Sequence, residues 1–468
     1  MSSSKIYIFI IILASLLTHF LFFGHPNETV FDEVHFGKFI SGYFTHEYFF
    51  DIHPPLGKLL ISGAGYLAGF KPGFSFAEIG QKFPDNIYLW LRLLPTLAGV
   101  LLPLIIFFLV LRLGLSRFAA FSAAMLVVFE NAILAQSRFI LLDSFLLLFG
   151  FSALLAYFKY AQENKILYLF LSGVFAVLSL SVKWTGATFL ALIIILEIIK
   201  IVRERSWSRA LKDLIALILL PLAIYFSIFA IHLGLLTKSG PGDAFMTPAF
   251  QKTLAGSNYQ NSPDAKPLNL FQKFEELNIQ MYKSNATLTA GHPYSSKWYS
   301  WPLMARPIYY WYGSAGSSQT EAGAGVASRI YFLGNPLIWW SSTVAMLYLL
   351  ISLALSIFGL VMSKIRTYDI ARHKIRFLPA LLGGAYLLNL LPFIGITRAM
   401  FLYHYMIGLI FAIIALVYLL DQLENKKRAF VALLIASVAV FIFFAPLTYG
   451  LPLTNSAYHL RAWFPGWQ

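Results

Sequence analysis

The sequence predicts an all-α polytopic membrane protein, on three observations. The 468 residues are 59% hydrophobic and only 12% charged, with a mean hydropathy of +0.71. Apolar runs of about 20 residues recur, the length a helix needs to cross a hydrocarbon core. The cations fall mainly between these runs, as they do in loops flanking membrane spans. A soluble chain of this length would carry a far more charged surface. The net charge of +14 therefore reads as loop cations and not as a nucleic-acid surface. With no cysteine present, disulfides and thiolate metal sites are excluded.

Eleven spans are predicted, at 5–23, 86–111, 116–134, 139–158, 165–182, 184–202, 210–236, 337–362, 376–395, 399–420 and 429–449. All are taken as helices, because backbone polar groups in lipid must be satisfied within their own segment. The first, KIYIFIIILASLLTHFLFFG, lacks a small-residue cleavage site and is expected to be a retained span. Spans five and six are separated only by Lys183. With the N-terminus inside, the inner segments hold 18 basic residues. These are Lys5, Arg112, Arg117, Lys159, Lys165, Lys200, Arg203, Arg205, Arg209, Lys212, Lys364, Arg366, Arg372, Lys374, Arg376, Lys426, Lys427 and Arg428. The short outer turns hold only Arg138, Lys183 and Arg398. The positive-inside rule places the N-terminus in the cytoplasm and the C-terminus outside.

Two long loops then fall outside, dividing the chain into a transmembrane region 1–236 with the outer loop 24–85, a large outer loop 237–336, and a four-helix region 337–468. In the first loop, FGKFISGYF and LGKLLISGAGYLAGF suit short helices lying in the interface. In the second, KWYSWPLMARPIYYWYG has the Trp and Tyr density of a membrane–water boundary.

The chemistry gathers on the outer side. Of ten histidines only His373 is placed inside, while Asp32, Glu33, Glu130, Arg138, Asp143, Lys183 and Arg398 are all placed outside. Ionisable groups at membrane depth are costly and usually line a cavity or pathway. Adjacent acids such as Asp32-Glu33 are common in solvated turns and helix starts. Here His35, Lys38, Asp51, His53 and Pro54-Pro55 follow in one compact loop, which shifts the balance toward a site. Asp-Glu-x-His lacks a diagnostic metal-ligand spacing, so no metal is assigned. Cations in the three outer turns, converging beside membrane-level carboxylates, point to an anionic ligand such as a lipid phosphate.

These residues carry a family resemblance. FDEVHFGKF followed by YFFDIHPPLGKLL resembles the first lumenal loop of protein O-mannosyltransferases. The likeness continues through SRFILLDS, SVKWTG, KFEELNIQMYKSNATLTAGHPYSSKWYSWPL, GNPLIWW and RAMFLYHYMIGLIFA, in the family's order over nearly the whole chain. It implies a GT-C glycosyltransferase fold, for which eleven spans are usual. It also implies transfer of mannose from a polyprenyl (dolichyl-type) phosphate carrier to Ser/Thr hydroxyls of proteins outside, without a cofactor. Residues 237–336 are too short and wrongly composed for the MIR domain of eukaryotic members, so a compact prokaryote-like member of a cell membrane is expected.

By resemblance Asp32 is the general base, and Glu33 orients the sugar or acceptor and holds the loop. Arg138, Lys183 or Arg398 would stabilise the leaving phosphate. His35, Asp51, His53, His292 and His404 complete the expected substrate contacts, although each histidine could equally be structural. A dimer is a further expectation. A GT-C transferase moving another sugar to a lipid acceptor, such as aminoarabinose to a lipid A phosphate, is the alternative. A transporter is disfavoured because no inverted repeat is evident.

Overall fold

The computed structural model describes residues 3–205, 210–287, 291–314, 326–365 and 377–468. Of the residues singled out above, Arg209, Arg366, Arg372, His373, Lys374 and Arg376 lie outside the described residues. Each predicted span falls on helical structure, although 116–134 is divided between two helices. The first nine helices in chain order are α1 (Ser3–Phe20), α2 (Glu33–Thr45), α3 (Leu56–Leu67), α4 (Tyr88–Arg112), α5 (Arg117–Val128), α6 (Asn131–Ser137), α7 (Asp143–Glu163), α8 (Ile166–Val182) and α9 (Ala187–Glu204). They are followed by α10 (Ala210–Leu235), α11 (Leu270–Thr287), α12 (Pro336–Ile365), α13 (Phe377–Leu390), α14 (Met406–Asp421) and α15 (Lys426–Tyr449).

Among the described residues, eight helices are long and apolar enough to cross a membrane unaided, and α5 with α6 forms a bent pair. Helices α1 and α8 are shorter apolar helices. Helix α2 begins at the first acid pair, and α3 follows Pro54-Pro55, where proline favours the first turn of a helix.

The predicted span 116–134 is broken. Between α5 and α6 the chain bends by 61°. Glu130 explains the break: it caps α6, accepting from the Ile133 N–H at 2.8 Å, and also accepts from the Asn335 N–H at 2.7 Å ahead of α12. A carboxylate counted with the outer ionisable groups is thus a buried cap that joins two distant segments. Close helix contacts rest on glycines. A Cβ at Gly173 of α8 would lie 2.0 Å from the Ala216 carbonyl of α10, so only glycine permits that approach.

The aromatic stretch after α11 differs from its reading as an interfacial loop. Part of it forms β1 (Ile308–Ser314), which pairs antiparallel with β2 (Val326–Phe332). Strand β3 (Pro452–Thr454) completes a sheet of order β1-β2-β3. Aromatic and β-branched residues are favoured in strands, and Tyr310, Ile330 and Phe332 are fully buried. The sheet reaches the first loop through Phe31, whose N–H donates to the Tyr310 carbonyl at 3.0 Å.

The two ends of the bundle differ chemically. At one end Arg112 meets Glu163 at 3.1 Å and Lys426 meets Asp421 at 3.1 Å, while Tyr7 stacks on Phe121. At the other end the first loop, the sheet, the start of α7 and the end of α8 converge.

Candidate active site

Asp32 precedes the first residue of α2, but its side chain does not cap that helix. Among the described residues its carboxylate accepts no hydrogen bond. The residue before it, Phe31, holds a left-handed backbone at φ +47°. For a bulky residue this conformation costs on the order of 1 kcal/mol and persists only where surroundings impose it. Here the Phe31 ring stacks on Tyr310 at 4.2 Å, adding to the backbone bond. The strained residue fixes where the next carboxylate stands. Burial pushes the Asp32 carboxyl up to about 7; the Lys183 ammonium opposes that shift, and Asp143 and Asp51 add to it. The residue nevertheless keeps part of its surface accessible.

Asp143 opens α7, and Lys183 is the first residue beyond α8. The Lys183 Nζ donates to both Asp143 oxygens at 2.8 Å. Gln136 donates to the same carboxylate at 2.6 Å and accepts from the Tyr310 hydroxyl. The ammonium also sits 4.8 Å from the Tyr403 ring centroid. Four elements thus hold one cation beside Asp32 through a connected polar network.

A second cluster lies on the loop between α2 and α3. Asp51 accepts from Lys58 and from His53 Nδ1, the latter at 3.1 Å. Lys58 also donates to the carbonyls of His53 at 3.0 Å and Pro54 at 3.3 Å. Burial would raise the Asp51 carboxyl, but Lys58 and then His53 outweigh it and hold the acid far below the usual carboxylate range. Asp51 is therefore a fixed anion, unlike Asp32. Burial depresses His53, against the pull of Asp51, so its free edge is that of a neutral imidazole near pH 7.

His53, Asp143, Lys183, Arg398, Tyr403 and His404 line one cavity. Among the described residues Arg398 has no carboxylate partner, whereas Lys183 is bound to Asp143. Burial lowers the Arg398 guanidinium, partly countered by Tyr403, yet an arginine remains charged. His404 stacks on Tyr403 at 4.6 Å, with Nδ1 2.9 Å from the Phe401 carbonyl. The cavity thus presents a free guanidinium, a tethered ammonium and imidazoles, a set suited to a sugar phosphate.

Of the predicted residues, Asp32 and Asp51 stand near this cavity without lining it, and four others stand elsewhere. Glu33 is wholly buried and does not reach the cavity. Its oxygens accept from Arg92 Nε at 2.8 Å and Nη2 at 2.7 Å, and from the Val30 and Ile140 N–H groups at 2.8 Å. These contacts tie the first loop to α4 and to the segment before α7, and engage both Glu33 oxygens. Arg138 is also off the cavity: it donates to the Phe22 carbonyl at 2.6 Å and lies 4.4 Å from the Tyr449 ring centroid. His35 is exposed on α2, and His292 is exposed with its ring edge-on to Phe401 at 5.0 Å.

Sequence reading missed Arg92, Lys58, Gln136 and Tyr310. Arg92 alone left a signal, as a cation just inside the apolar run 86–111. Its partner is 59 residues away, beyond any local pattern.

Residues 9–237 match the family described as dolichyl-phosphate-mannose-protein mannosyltransferase, and residues 270–467 match the C-terminal four TMM region of protein-O-mannosyltransferase. Protein O-mannosyl-transferase 2 of Danio rerio is 36% identical over 269 residues, covering 54% of this chain and 36% of the relative. Dolichyl-phosphate-mannose–protein mannosyltransferase 4 of Candida albicans is 35% identical over 298 residues, covering 60% of this chain and 39% of the relative. The matched part thus spans well under half the length of these relatives. Among solved structures, the S. cerevisiae protein O-mannosyltransferase Pmt1-Pmt2 complex bound to the sugar donor aligns with a TM-score of 0.86. That alignment covers 100% of this chain and 93% of that one, at 20% identity. An oligosaccharyltransferase of Archaeoglobus fulgidus aligns with a TM-score of 0.52 over 98% of this chain and 55% of that one, at 13% identity. At such identities the likeness establishes the fold, GT-C in a multi-pass membrane protein.

Proposed function

Since the chain belongs to the protein O-mannosyltransferase family, we propose that it moves mannose from a polyprenyl (dolichyl-type) phosphate mannose to Ser or Thr hydroxyls of proteins. The reaction would run on the outer face of a cell membrane. The observation that carries this reading is an unengaged carboxylate, Asp32, raised to about 7 and within electrostatic reach of Lys183 and Asp143, which line a cationic cavity. A general base works best with a pKa near the working pH. The acceptor oxygen attacks C1 of mannose, the C1–O bond to phosphate breaks, and Asp32 takes the hydroxyl proton. Polyprenyl phosphate leaves with its charge stabilised by Arg398 and the Lys183–Asp143 pair. His53 and His404 are placed to contact the sugar. Single displacement inverts C1, giving an α-mannoside from a β-linked donor.

No general acid is needed, because the leaving phosphate is already a stable anion. Dimerisation remains part of the proposal, in keeping with the likeness to a two-chain complex. The test is transfer of labelled mannose from polyprenyl phosphate mannose to a Ser/Thr peptide, with the product treated with α-mannosidase. Release of the label is expected. A mannosidase-resistant product, or transfer only to lipid acceptors, would sink the reading.

A further inference from the structure

Beside the acid site, and separate from its cavity, a cleft opens between α2, residues 47–50, the turn at 72–75 and residues 241–245. Lys38 and Thr45 of α2 line it, with Phe49, Phe74 and Phe245 from the other walls. Close approach depends on glycine: a Cβ at Gly42 would lie 2.7 Å from Phe49, and one at Gly242 would lie 2.4 Å from the Phe50 nitrogen. Phe50 and Phe245 stack at 4.5 Å, and Phe245 is 48% exposed.

Two walls lead directly to the chemistry. Helix α2 begins at Asp32, and residues 47–50 run into Asp51. Between cleft and cluster stands the Phe39 ring, which lines the cleft and lies 5.8 Å from Lys58 Nζ. Spacings of three and four place His35, Lys38, Gly42 and Thr45 on one face of α2, so the exposed His35 continues the cleft one turn toward Asp32.

The lining alternates aromatic rings with hydroxyls, charges and glycine backbone. This mixture suits a peptide, whose amides need polar partners, better than a hydrocarbon chain. The Ser41 hydroxyl, buried in the cleft wall, has no hydrogen-bond partner among the described residues. Resting on the transferase reading above, we propose that this cleft binds the acceptor polypeptide in extended form and delivers its Ser/Thr past His35 to Asp32. From Asp32 to Thr45 the helix rises roughly 20 Å, which about six extended residues would span.

The test is fluorescence anisotropy with a labelled, Pro-containing Ser/Thr 14-mer and the full chain in detergent. Phe245→Ala and Lys38→Ala, at a half-exposed and an exposed position, are expected to weaken binding about tenfold and about threefold. Their melting temperatures should stay at the wild-type value. A tripeptide should bind at least tenfold more weakly than the 14-mer, a length dependence that needs no variant. Wild-type affinity in both variants, or no peptide binding at all, overturns the proposal. So does unchanged peptide affinity with an altered oligomer mass in Phe245→Ala, which would give the cleft to a second copy. Cleft-dependent binding in a chain that transfers no mannose would instead sink the transferase reading and leave the cleft standing.

Discussion

A carboxylate raised to about 7 makes activity depend on pH with a definite sign. Below that value Asp32 is protonated and cannot accept the hydroxyl proton, so kcat/KM should fall as pH drops through 7 and level off above it. The profile should be fitted for wild type beside Asp32→Glu, which retains a base and should retain the fall. Arg398→Ala is expected to lower transfer by about 10²–10³-fold, the scale for removing one group that stabilises developing charge. A change confined to donor KM would show that Arg398 binds the donor without favouring the transition state. At this scale the sequence drew attention to Asp32 because two adjacent acids, histidines and a further aspartate crowd one short loop. Only the family resemblance separated Asp32 from Glu33; the contacts of Glu33 with Arg92 and Ile140 join residues too far apart for a local pattern to show.

The elements around the site are fixed by a few buried contacts. Removing the Arg92 guanidinium would leave Glu33 charged and unpaired in the core, so Arg92→Met should cost about 3–5 kcal/mol. The paired change Glu33→Leu/Arg92→Met should recover part of that loss, as thermal unfolding in detergent would show. At the α8–α10 crossing, Gly173→Leu should destabilise by about 1–3 kcal/mol or more, because its Cβ would press on the Ala216 carbonyl. Helices were legible from hydropathy because a lipid-spanning segment must be both apolar and long. The α5–α6 bend was not, because the Glu130 cap takes its second partner from Asn335, some 200 positions on. The β-sheet was missed for a related reason: aromatic residues serve a half-buried strand and a membrane boundary equally well.

For the whole molecule, the placement of charge carries the topology. The chain has no cysteine, so single cysteines report sidedness cleanly. Ser75→Cys should react with a membrane-impermeant maleimide in intact cells, and Lys427→Cys only after permeabilisation. The reverse pattern would place Asp32, Lys183 and Arg398 on the cytoplasmic face and contradict an outer reaction. The general assignment was readable because the site motifs are contiguous stretches. The cavity was not, since it joins residues from the first loop, the start of α7, the end of α8 and the segment before α14. The most direct measurement is mannose transfer from polyprenyl phosphate mannose to a Ser/Thr peptide by purified wild type and Asp32→Asn, matched for folding. A loss of about 10²–10⁴-fold in the variant, the range for a general base, is the expected result. Transfer by Asp32→Asn at the wild-type rate would contradict the base assignment.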